Sequence, residues 1–209
     1  MLKMGGDFMK DKSLLMAVES LKIEQKAVAD VLSHLDRKAF AEAVDILSGC
    51  SRIITSASGS SGIATKKFAH TLCCIERPAQ FLSPCEALHG GLGAIQSGDA
   101  VVVVSRGGKT SELLPVLHVA KKKGAVVIGV TENMSSPVYE LSDIVLAMYI
   151  EKESDKYNMQ ATSSFVSTIA LFDALICAVM EETDYRMEQF ALIHPGLLLY
   201  VCMHANWKH

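Results

Sequence analysis

Two rhythms of apolar residues alternate along this chain. Short apolar runs, all but the second rich in β-branched residues, occupy positions 52–57, 78–82, 100–104, 125–130 and 143–148. Between and beyond them, apolar residues recur every three or four positions, the spacing of a helix face. The run Ala100-Val101-Val102-Val103-Val104 lacks polar alternation, which predicts a central strand covered on both faces. Two helices are predicted between Ser13 and Gly49. The first carries Leu14, Leu15, Val18 and Leu21 into Val28, Val31, Leu32 and Leu35; the second carries Phe40, Val44 and Leu47. Further helices are predicted over 63–76, briefly after Ser83-Pro84, over 113–123 with Gly124 as its C-cap, briefly after Ser135-Ser136-Pro137, over about 162–182 and over about 185–193. The long one is apolar almost all round and is expected to be deeply packed. Residues 151–158 read as a charged loop.

Strands separated by helices at this spacing imply right-handed crossovers and an α/β fold, a parallel sheet with helices on both faces. Five strands fit a flavodoxin-like order. Residues 1–50 are expected to pack as added helices on the same domain, and residues 51–209 to form the α/β unit with C-terminal helices added. The chain has 209 residues, half of them hydrophobic, enough for one substantial core.

The candidate chemistry lies in two turns. After the central strand come Ser105-Arg106-Gly107-Gly108-Lys109-Thr110-Ser111-Glu112 and then a helical pattern from Leu113. After the first strand, Ser58-Gly59-Ser60-Ser61-Gly62 precedes a helix in the same way. Ser and Thr before an apolar run are also ordinary helix caps, and Gly-Gly an ordinary turn. The repetition shifts the balance, because two hydroxyl and glycine turns at the carboxyl ends of parallel strands face one crevice. Unpaired N–H groups at a helix start and nearby hydroxyls suit an anion, above all a phosphate.

Charge and cysteine content narrow the picture. The formal net charge is −3 and the basic residues are dispersed, so the sequence carries no footprint for nucleic acid. Lys121-Lys122-Lys123 falls at a predicted helix end, where it offsets the dipole. No apolar stretch is expected to reach the ~18 to 20 residues a membrane helix requires, and the start MLKMGGDFMKDK lacks a signal-peptide core, so a cytoplasmic location without membrane partners is expected. The six cysteines show neither Cys-x-x-Cys pairs nor zinc-finger spacing and read as reduced. Cys85 lies in a loop after a strand with no obvious paired base.

The stretches Ser56 to Gly62, Glu86-Ala87-Leu88-His89-Gly90-Gly91-Leu92-Gly93, Ser105 to Glu112, Ala161-Thr162-Ser163-Ser164 and His194-Pro195-Gly196 resemble the sugar isomerase (SIS) domain family, specifically its arabinose-5-phosphate isomerase branch. The resemblance implies a phosphosugar site built from the two turns, with Ser58, Ser60, Ser61, Ser105 and Thr110 as phosphate or substrate contacts. In that branch, a Lys in the first turn, a Glu in the second, a Glu before the long helix and the His of HPG are associated with catalysis. Those positions fall on Ser60, Glu112, Glu153 and His194. The Lys is therefore absent, and Arg106 is an alternative cationic contact. His89 is a further substrate contact; a lone His beside glycines is more often structural than a metal ligand, and neither metal nor cofactor is expected. The branch often carries CBS modules after this domain; these 209 residues hold none, so nucleotide regulation through them is not expected.

Aldose and ketose phosphates interconvert when a base removes the proton next to the carbonyl and an acid supports the enediol oxygens, work suited to a carboxylate and an imidazole. Glu153 and His194 are the expected pair, with Glu112 as a third group. A non-catalytic phosphosugar sensor is the competing reading, favoured by the missing Lys, and another hexose phosphate activity on the same fold is a third. The family resemblance also implies a homodimer or homotetramer, in which a neighbouring subunit lends the His.

Overall fold

The computed structural model describes residues 4–194, with side chains from Lys10 onward. Pro195 and Gly196 of the HPG segment and the apolar tail after them lie outside the described residues. Strands β1 (Ile53–Ser56), β2 (Ala79–Phe81), β3 (Ala100–Val104), β4 (Val126–Thr131) and β5 (Ile144–Ala147) form one sheet in the order β2-β1-β3-β4-β5, parallel throughout. This is the flavodoxin-like order expected from the alternation. The second strand begins one residue after Pro78, whose carbonyl still accepts from the Ile53 amide at 2.8 Å.

The helices are α1 (Met4–Ser33), α2 (Arg37–Gly49), α3 (Gly59–Cys74), α4 (Pro84–Ala87), α5 (Leu114–Lys123), α6 (Pro137–Leu141), α7 (Ser163–Glu182) and α8 (Met187–Ile193). Side chains alternate across β3, so Ala100, Val102 and Val104 enter one core and Val101 and Val103 the other. The first core is closed by α2, α3 and α7, where the fully buried Phe68 and Phe172 rings stack 4.1 Å apart. The second is closed by Val116, Leu117 and Ala120 of α5 and Val138 of α6. Asp36 starts α2 by accepting from the Lys38 and Ala39 amides at 2.9 and 3.1 Å, and Gly124, at φ 74°, closes α5 as expected.

Three expectations need correction. The residues leading from the second turn into the expected helix at Leu113 are themselves helical: a 3-10 turn over Ser111–Leu113 comes first and α5 starts at Leu114, with Pro115 in its first turn. The sequence does contain a helix long and apolar enough to cross a membrane, the 20-residue α7. Here α7 is the central core helix, in contact with α1, α2 and α3, and Ser167 Oγ donates to the Ala27 carbonyl of α1 at 3.2 Å. The apolar stripe of α1 is used only in part: Leu14, Leu15, Leu21 and Leu32 are exposed, while Ala27 is buried.

Candidate functional site

The chain leaves β1 toward β2 and leaves β3 toward β4, so the turns after these two adjacent strands splay apart and open a crevice at their carboxyl ends. The first turn is held close by Gly62: a Cβ there would lie 2.8 Å from the Ala57 carbonyl oxygen. Gly59 takes φ +59°, and Ser58 precedes α3 without using its side chain as a cap. Its hydroxyl is therefore not spent on the helix.

The start of α3 divides the crevice in two. Ser60, Ser61 and Ala64 line a narrow cleft together with Arg106, Ala161, Ser164 and Phe165. Gly59, Gly62, Ile63 and Lys66, spaced i, i+3, i+4 and i+7 along one face, line a broader cleft of about 300 Å³ with Ser58, Phe81, Cys85 and Glu112. The two turns thus meet around the helix start rather than across a single undivided groove.

In the second turn, Ser105 is buried. Its hydroxyl is 2.9 Å from that of Thr110 and accepts from the Gly108 amide at 3.1 Å. Both hydroxyls therefore fix the loop as it stands. Gly108, at φ +66°, packs so tightly on Ser136 that a Cβ would collide with that side chain. Arg106 bridges two carboxylates, donating from Nε to Glu132 at 2.7 Å and from Nη1 to Glu153 at 2.6 Å.

Glu153 is 4 % exposed. While one oxygen takes Arg106, the other accepts from the Thr162 amide (2.9 Å), the Thr162 hydroxyl (3.1 Å) and the Ser164 amide (3.1 Å). Burial pushes its carboxyl up, but the hydrogen bonds from Ser164 and Thr162 outweigh that, and it sits below the usual carboxylate range. A carboxylate so engaged positions the first turn of α7 and, through Arg106, the second turn at once. Glu112 differs: it is exposed on the wall of the broader cleft and accepts from the Ser111 hydroxyl at 3.0 Å. Its own amide and that hydroxyl hold it below the ordinary value.

His194 is not brought to this crevice within the chain. Its ring stacks on Phe190 and bonds the Phe190 carbonyl at 3.0 Å. Its helix, α8, is tied to the far end of α3 through Gln189 to Glu76 and Tyr185 to the Cys74 carbonyl. Those contacts lie at the opposite end of α3 from Ser58, and His194 lines neither cleft. His89 is exposed after α4, where its amide donates to the Glu86 carbonyl, and it lines neither cleft. Among the described residues no three His, Cys, Asp or Glu side chains gather as metal ligands. Sequence reasoning missed Lys66, which lies 4.9 Å above the Phe81 ring. Its signal was present in the spacing from Gly59 and Gly62, which puts all three on one helix face.

The SIS domain family model matches residues 46–178, from the end of α2 through most of α7. This chain belongs to the SIS domain family. Among SIS relatives, it is 32% identical over 180 residues to the arabinose 5-phosphate isomerase KdsD of Pseudomonas aeruginosa, covering 86% of this chain and 55% of that protein. It is 33% identical over 202 residues to the arabinose 5-phosphate isomerase GutQ of Salmonella typhimurium, covering 96% and 63%. The chain thus spans less than two thirds of the length of these curated relatives. A Listeria monocytogenes structure, provisionally described as a sugar-phosphate isomerase, superposes with a TM-score of 0.87 at 39% identity, covering 90% of this chain and 98% of the other. An Escherichia coli CFT073 protein solved in complex with arabinose 5-phosphate superposes with a TM-score of 0.83 at 27% identity, covering 88% and 98%.

Proposed function

We propose that this SIS protein is an aldose-ketose isomerase acting on a sugar phosphate, with arabinose 5-phosphate as its reference substrate. The observation that carries the reading is the likeness over nearly the whole chain to a protein solved with arabinose 5-phosphate, together with the similarity to curated arabinose 5-phosphate isomerases. The two turns supply the phosphate end of the site: Ser60 and Ser61 beside Arg106 in the narrow cleft, with Ser105 and Thr110 shaping the second turn. Glu112, whose carboxylate lines the open cleft, moves the proton next to the carbonyl. Glu153 holds Arg106 and the start of α7 in register with it.

A homo-oligomer completes the site. His194 lines neither cleft of its own chain, and α1 exposes Leu14, Leu15, Leu21 and Leu32 without a partner among the described residues. A second copy covering α1 and presenting His194 to a neighbouring crevice satisfies both features. Cytoplasmic metabolism of sugar phosphates is the setting that suits this chemistry.

The test is direct. Purified protein is incubated with arabinose 5-phosphate and with a panel of other pentose and hexose phosphates, and the ketose product is followed. Turnover supports the isomerase reading; tight binding without turnover of any substrate favours the phosphosugar sensor, the reading that the neutral Ser60 suggests.

A further inference from the structure

We propose that Lys66 is the cation that faces the enediolate oxygens of the bound sugar, an assignment that rests on the isomerase reading above. Lys66 stands in the broader cleft on the wall formed by α3, and Glu112 lines the same cleft from the second turn. Arg106, the cation of the neighbouring cleft, is already neutralised by Glu132 and Glu153. Lys67, the next residue along α3, is paired with Asp173. Lys66 makes no hydrogen bond or ion pair among the described residues; its contact is the face of Phe81, 4.9 Å from the ring centroid. That contact steadies the side chain while leaving the ammonium protons open to an incoming anion. Side chains on a helix lean toward its N-terminus, so Lys66 leans toward Ser58, which lines the same cleft.

The reaction needs a cation at this point. Glu112 takes the proton from C2 of the aldose, the C2–H electron pair forms the C1–C2 double bond, and the carbonyl pair moves onto O1. The oxyanion on O1 is held by Lys66. The proton then returns to C1 while the O2 proton passes to O1, giving the ketose with every proton and electron pair accounted for. A charge placed in advance where an oxyanion develops lowers the barrier for this step more than it strengthens substrate binding.

The test compares Lys66→Met, which keeps a similar stem over Phe81 and removes the charge, with Lys66→Arg and with Lys67→Met as a surface control. The expected result is a fall of about 10²-fold in kcat for Lys66→Met with KM within about threefold, partial recovery in Lys66→Arg, and wild-type turnover in Lys67→Met. Thermal midpoints of all three should stay close to that of the wild type. The assignment is overturned if Lys66→Met keeps wild-type kcat, including the case in which only KM rises. If the wild type itself turns over no aldose or ketose phosphate, the isomerase reading fails, and the assignment falls with it.

Discussion

Arg106 joins three separate pieces of chain: its own turn, Glu132 after β4 and Glu153 before α7. Removing it leaves Glu153 buried with its hydrogen bonds from Thr162 and Ser164 but without a cation, and because Arg106 is itself partly exposed, Arg106→Met is expected to lower stability by about 1 to 3 kcal/mol, read from denaturant unfolding. The carboxyl of Glu153 also sets an acid limit. Its folded-state pKa lies below the ordinary value of 4.5, so the stability it contributes is fully present above that value and is lost as pH falls through the folded pKa. Thermal midpoints should therefore decline from about pH 4.5 downward in the wild type, and Glu153→Gln should flatten that acid limb while lowering the midpoint at neutral pH. An unchanged acid limb in Glu153→Gln would contradict the role given to Glu153. The sequence made Glu153 visible as a candidate but not its partners, because Thr162, Ser164 and Arg106 converge on it only once α7 has docked. Lys66 was overlooked for the opposite reason: its cleft forms between α3 and a turn far along the chain, and α3 reads locally as a plain amphipathic helix.

At the level of elements, α7 and α1 show how one apolar pattern serves two ends. Phe172 lies at the centre of α7, fully buried and stacked on Phe68, so Phe172→Ala should cost about 3 to 5 kcal/mol, measured by urea unfolding. A similar loss is not expected on α1, where Leu14 and Leu21 touch solvent. Substituting both with Glu should leave the fold intact and, if α1 carries the proposed contact between copies, give a smaller species than the wild type in light scattering. An unchanged mass would show that α1 does not carry the contact. The strands were legible to within a residue or two, because burial on both faces demands the unbroken valine run of β3, whereas the helix starts were not, α1 beginning at Met4 and α3 at Gly59, ahead of the apolar pattern that announced them. Which face of α1 would be covered was not legible, since an amphipathic stripe records a need for burial and not the identity of the cover.

On the scale of the whole molecule, the parallel order β2-β1-β3-β4-β5 places the crevice, and the split of that crevice by α3 sets a narrow and a broader cleft side by side. Strand order was expected from the alternation of elements, and the two turns were recognised from their hydroxyls and glycines. The division into two clefts was not, because it depends on the rotation of α3 about its axis, fixed by the close approach of Gly62 to Ala57. Proton NMR of arabinose 5-phosphate incubated with the wild-type protein in D2O tests the isomerase reading most directly. A ketose phosphate is expected, together with loss of the C2 proton signal of the aldose through exchange with solvent at the enediol stage. Saturable binding of arabinose 5-phosphate, with neither ketose nor C2 exchange from it or from any other sugar phosphate tried, would contradict that reading.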